Sequence, residues 1–215
     1  MQAQTKQGTG SAFRFMTRTP VALGMLAVSA FFMGQFMLFT YLRPFLETVT
    51  QVSVSLLSFV LLVIGVAGFL GTFLIGTFLK NRLYRTLIVI PLLMAGIAIA
   101  LVWFGGSVTI TTVLLGFWGL VATAAPVGWW TWLARTLPEN AEAGGGLMVA
   151  IIQLAIATGA TVGGILFDLN GYQATFETSA AVLGVAAVLT VLAARAAVRA
   201  SSSSSSSAVT CSAVG

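Results

Sequence analysis

The chain has 215 residues, of which 58% are hydrophobic and only 7% charged, whereas soluble domains carry roughly 25% charged residues. A single soluble core of this size cannot hide so much apolar surface, so the solvent that fits the composition is a bilayer. The net charge is +5, but the basic residues separate apolar runs instead of forming one patch, which argues against nucleic acid as a partner.

There is no histidine, and the one cysteine, Cys211, lies in a polar tail. An intrachain disulfide is therefore impossible, and the residue types argue against a His/Cys metal site or His-based catalysis. No paired carboxylates stand at a catalytic spacing, so no enzyme is expected, and nothing in the chain calls for a cofactor.

Residues 1–19 are polar, carry Lys6, Arg14 and Arg18, and read as a cytoplasmic N-terminal segment. Six apolar segments follow, at 20–42, 54–79, 86–104, 108–133, 146–167 and 174–194. Each is long enough to cross a hydrocarbon layer of ~30 Å as a helix. None has the alternation that a barrel strand needs. The predicted fold class is therefore an all-α membrane protein with six transmembrane helices, occupying residues 20–197. The first segment follows a basic stretch and contains Val28-Ser29-Ala30, but apolar sequence continues to Tyr41, which favours a retained anchor over a cleaved signal. Gly105-Gly106-Ser107 barely separates the third and fourth segments, so these pair as antiparallel neighbours, and Asn170-Gly171 marks the turn between the last two. Residues 198–215 include seven consecutive serines and read as a disordered cytoplasmic tail or as a cloning or frameshift scar.

With a cytoplasmic N-terminus, nine of the ten basic residues fall on one side and only Arg43 on the other. The positive-inside rule then places both termini in the cytoplasm, as an even number of spans requires. In that orientation Trp129, Trp130 and Trp132 form an interfacial belt on the cytoplasmic side and Trp103 sits at the outer interface.

No acidic residue lies in mid-span: Glu47, Asp168 and Glu177 sit near outer ends, and Glu139 and Glu142 in a cytoplasmic loop. Proton relays usually need a buried acid or histidine, so the titrating group of any proton-coupled step is expected on another chain. Gln35 and Gln153 are the polar side chains in mid-membrane, each suited either to an interhelical hydrogen bond or to a ligand in a wet cavity. Arg43 precedes Pro44, where the first helix is expected to end, and either snorkels to headgroups or contacts a ligand at the outer mouth. Trp118 lies deeper than the belt and is a cavity candidate, and Pro126 should kink its helix. Gly65, Gly68, Gly71 and Gly76 in the second segment, and Ala155, Gly159 and Gly163 in the fifth, allow close helix packing within the bundle or against a second one.

Three stretches carry a likeness to a known family: Gly34-Gln35-Phe36 with Phe39 to Pro44; Trp118-Gly119 with Pro126 to Trp129 and Thr131 to Leu137; and Val149 to Ala155 with Gly159, Gly163-Gly164 and Asp168. Over residues 18–195 the chain resembles the C-terminal six-helix half of a major facilitator superfamily transporter of the drug:proton antiporter type. Within that group it looks most like purine ribonucleoside efflux pumps and related sugar-efflux proteins. The segment 76–85 occupies the place of the family's basic loop, although Lys80 stands where the family often has aspartate. The resemblance implies proton-coupled efflux of purine nucleosides or similar small polar solutes across a bacterial inner membrane. It implies that the first and fourth helices line a cavity, and that the second and fifth face another six-helix half or a second copy in a homodimer. Tyr41 joins Gln35, Arg43, Trp118 and Gln153 as a substrate-binding candidate. The competing readings are sugar or drug efflux, and a non-transporting truncated membrane protein or assembly partner.

Overall fold

The computed structural model describes residues 19–212, with side chains at 19–76, 79 and 82–200. The expected N-terminal segment carrying Lys6, Arg14 and Arg18 lies outside the described residues, as does the Lys80 side chain. Among the described residues every regular element is helical: α1 (Thr19–Phe39), α2 (Leu42–Thr48), α3 (Val54–Phe104), α4 (Val108–Thr136), a 3₁₀ turn (Pro138–Asn140) and α5 (Ala141–Ser212).

Five helical stretches are long and apolar enough to cross a membrane: Thr19–Thr48, Val54–Gly76, Arg82–Phe104, Val108–Thr136 and Pro138–Ala200. The sequence predicted six, and the expected fifth and sixth both fall within the last stretch. That stretch is 63 residues long, or about 95 Å if it were one straight helix. It is not straight. Gly171 leaves the helix at φ 80°, ψ −179°, a conformation essentially reserved for glycine. Thr175 Oγ1 donates to the Gly163 carbonyl at 3.1 Å, although those residues would stand about 18 Å apart along an unbroken helix. The chain therefore doubles back at Gly171.

α3 is broken in a similar way. Its 51 residues hold one non-helical position, Arg82 at φ −140°, ψ 39°. The basic connection expected as a loop at 80–85 is thus a single-residue break with helix on both sides. α1 also departs from expectation: it ends at Phe39, and α2 restarts at Leu42. Pro44 was expected to stop the first helix near Arg43. Instead it occupies the third position of α2, in the first turn, where a missing N–H removes no helical bond. At the other end the α5 backbone remains helical to Ser212, through the serine tract. Composition argues for disorder there, but extending an existing helix requires no new nucleus.

α1 packs chiefly on α5, and α3 on α4 and α5. Small residues set these contacts. A Cβ on Gly159 would overlap the Met33 carbonyl, and one on Gly163 would lie 2.7 Å from the Met37 carbonyl. On the other helix pair, a Cβ on Gly71 would overlap the Leu120 carbonyl and one on Gly119 the Ile64 carbonyl. Hydrogen bonds follow the same lines: Ser179 Oγ donates to the Gly34 carbonyl at 2.6 Å and Thr123 Oγ1 to the Gly68 carbonyl at 2.7 Å.

The bundle has two chemically different ends. One gathers α2, the Gly105 turn and the Gly171 turn: Thr50 Oγ1 donates to the Gly105 carbonyl at 2.8 Å, and the Phe45 ring lies 5.2 Å from Tyr172 and 4.8 Å from Phe176. At the opposite end Thr19, Arg82, Arg135 and Ala200 surround one cavity. Arg82, Arg85 and Arg135 lie at that end, whereas Arg43 lies at the Gly105 end.

Candidate functional site

Most polar groups inside the helices are satisfied locally. Thr112, Thr131, Thr158, Thr161 and Thr190 each donate to the carbonyl four residues earlier. Two buried side-chain atoms among the described residues have no partner: Gln35 Oε1 on α1 and Trp118 Nε1 on α4. One is an acceptor and the other a donor. An unmet buried polar group costs roughly 1–3 kcal/mol, so each is a place where a water or a polar solute is favoured. Trp118 is fully buried among apolar side chains, and Gln35 is half-buried. No hydrogen bond links the two residues, so the structure presents them as separate unmet groups on neighbouring helices.

The other candidates have different surroundings. Tyr41 Oη donates to the Ala160 carbonyl at 2.8 Å, and its ring stacks on Phe167 at 5.4 Å. A Cβ on Gly164 would overlap that hydroxyl. Tyr41 therefore clasps α5 to the end of α1. Arg43 is exposed, and its Nε donates to Glu47 Oε1 at 2.8 Å. The pair sits one helical turn apart on α2, where such pairs are worth only a few tenths of a kcal/mol. Gln153 is exposed on α5. Among the described residues, none of Arg43, Gln153 and the two unmet groups lines the cavities at the Arg82 end.

Two of the three tryptophans assigned to an interfacial belt are buried. The Trp132 ring occupies the space above Gly24, where a Cβ would overlap it, and Trp129 packs 6.5 Å from Phe31 and 5.9 Å from Trp132. Helix phase explains the difference: on α4 residues 118, 125, 129 and 132 share the inward face, as i+3 and i+4 neighbours do. Trp130 is 44% exposed and Trp103 is 78% exposed, and both face outward. α4 is continuous through Pro126, which lies within Val108–Thr136.

A cavity of about 1050 Å³ at the Arg82 end is lined by none of the five candidates. It holds Arg82, Arg85 and Arg135 with Trp132. Sequence reasoning assigned these arginines to topology alone. Their even spread between segments hid the fact that a break in α3 and the end of α4 bring them together.

No protein-family model matches the chain. It is 62% identical over 185 residues to the transcription regulatory protein OpdE of Pseudomonas aeruginosa, which covers 86% of this chain and 46% of that protein. It is 38% identical over 184 residues to the purine ribonucleoside efflux pump NepI of Escherichia coli K12, again with 86% and 46% covered, and matches NepI of Shigella sonnei equally well. The chain thus spans about half the length of the curated relatives it matches. Its apolar helices and these relatives make it a multi-pass membrane protein.

Proposed function

We propose that this chain is one six-span half of a major facilitator superfamily transporter that moves purine nucleosides outward across a bacterial inner membrane. The observation that carries this reading is the 38% identity to purine ribonucleoside efflux pumps along 184 residues. The reversal at Gly171 supports six crossings, because it divides the 63-residue stretch into two lengths that each suit a bilayer. The concentration of Arg82, Arg85 and Arg135 at one end supports placing that end, and both termini, in the cytoplasm.

In this reading Gln35 Oε1 accepts from a base N–H or a ribose hydroxyl, and Trp118 Nε1–H donates to a base or sugar oxygen. Both groups are already desolvated and unpaired, so a matching solute gains the bonds without displacing protein partners. Coupling to protons draws on a titrating group outside this chain, supplied by a second six-span unit. The chain offers that unit the exposed, glycine-bearing face of 54–76: Gly65 and Gly76 are open, with Phe69 and Phe73 73% and 80% exposed beside them. The second unit is either a separate half or another copy of this chain.

The identity of 62% to a protein named as a transcription regulator favours a second reading, a membrane protein that acts in regulation without transporting. Binding separates the two. Purified chain in nanodiscs is titrated with radiolabelled inosine. Saturable binding that weakens about tenfold in Gln35→Ala, equivalent to one lost hydrogen bond of ~1.4 kcal/mol, supports the transporter half. Absence of saturable binding by a folded sample, or binding indifferent to that substitution, overturns it.

A further inference from the structure

The cavity of about 1050 Å³ at the Arg82 end has three guanidinium-bearing residues, Arg82, Arg85 and Arg135, and no carboxylate among its described lining residues. Arg135 is held in place by donation from Nη2 to the Leu79 carbonyl at 3.3 Å. Three cations around one space repel unless an anion or water offsets them. A neighbouring cavity of about 470 Å³ shares Thr19, Pro20 and Ala200 with this one and adds Arg195 and Arg199 to its walls.

A second feature determines which anion fits. A groove of about 320 Å³ begins at the same Arg82 and Arg85 and continues along α3 over Thr86, Val89 and Ile90. Val89 and, one turn on, Leu93 are exposed on the outside of the bundle. The site is therefore cationic at its mouth and mostly apolar along a groove that runs over α3 beside the outward-facing Val89 and Leu93. An inorganic phosphate would use only the mouth. A phospholipid uses both parts, its phosphate among the arginines and an acyl chain along 89–93. Guanidinium suits this task because its planar donors engage a phosphate two at a time.

We infer that the junction of α1, α3 and α4 is a binding site for an acidic phospholipid, with the headgroup phosphate held by Arg82, Arg85 and Arg135 and an acyl chain laid on Val89 and Ile90. The site is lined on one side by the break in α3 and on another by the end of α4, so an occupied site adds a bridge between two helices already joined there by Arg135 and the Leu79 carbonyl. Nothing in the inference depends on transport, and basic pockets between membrane helices are suited to anionic headgroups in general.

The full chain, purified in mild detergent, is offered equimolar phosphatidylglycerol and phosphatidylcholine, and bound lipid is counted by native mass spectrometry. The expected result is at least about tenfold enrichment of phosphatidylglycerol, since clustered basic residues attract an anionic headgroup over a zwitterionic one. The triple substitution Arg82→Gln, Arg85→Gln, Arg135→Gln abolishes the enrichment, and the corresponding lysine triple restores part of it. Arg43→Gln, which removes one charge at the opposite end, leaves it unchanged. Circular dichroism checks that each variant is folded, and the single Arg82→Gln and Arg85→Gln variants, expected to lower enrichment severalfold, decide the matter if the triple does not fold. Equal retention of the two lipids, or enrichment that survives loss of the arginines, overturns the inference. So does complete displacement of phosphatidylglycerol by millimolar inorganic phosphate, which would make the site one for free phosphate.

Discussion

A buried tryptophan with an idle N–H is an unusual residue, because indole nitrogen normally finds a partner when it leaves water. Trp118 makes that exception on α4 and Gln35 makes the complementary one on α1. Trp118→Phe removes the donor together with part of the fused ring, which leaves a small cavity in the core. The expected outcome is a loss of thermal stability of about 1–3 kcal/mol, partly offset because the unmet donor is gone, together with weakened inosine affinity. A purely structural Trp118 would lose stability and leave affinity alone, so inosine binding measured on the folded variant decides between the roles. Both residues were legible in the sequence because a polar group within an apolar span stands out by composition. Arg43 and Gln153 stood out for the same reason, yet one is exposed beside Glu47 and the other lies on the outer face of α5. Residue type marks a candidate, but helix phase decides where it faces. In spans apolar on every side, no amphipathic stripe reveals that phase.

Among the elements, glycines divide into two kinds that sequence alone could not separate. Gly68, Gly71, Gly159 and Gly163 meet another helix, whereas Gly65 and Gly76 meet nothing within 4 Å. Gly71→Val or Gly159→Val drives a side chain into a facing carbonyl and should lower stability by about 1–3 kcal/mol or more, read as a fall in melting temperature. Gly65→Val and Gly76→Val should leave the isolated chain's melting temperature unchanged. If the open face seats a second six-span unit, these same two substitutions should weaken its association, measured by cross-linking in membranes. The turns were the most legible elements: Gly105 to Ser107 and Gly171 were evident from glycine content. The breaks around Arg82 and Phe39 were legible only approximately: the helix was expected to be interrupted at 80–85 and near Arg43, and it is interrupted at Arg82 and between Phe39 and Leu42.

At the scale of the whole molecule, apolar composition announced a bundle of membrane helices, and the spacing of basic residues announced its polarity. The structure adds that this polarity is focused: Arg82 and Arg85 meet Arg135, some fifty residues on, at one cavity. That convergence was illegible because it depends on which helix ends lie side by side. The bundle also leaves one face of 54–76 bare, with Phe69 and Phe73 outward and the open Gly65 and Gly76 to either side of them in sequence. Under the proposed reading, this face is the surface on which a second six-span unit would pack.

The most direct test replaces the 184-residue segment of the Escherichia coli purine ribonucleoside efflux pump that matches this chain with the chain's own residues. Inosine export is then followed in cells preloaded with label. The account predicts a chimera that inserts in the membrane and exports inosine, with export lost in Gln35→Ala and strongly reduced in Trp118→Phe. A chimera that inserts and folds but exports no purine nucleoside, or one whose export ignores both substitutions, would contradict it.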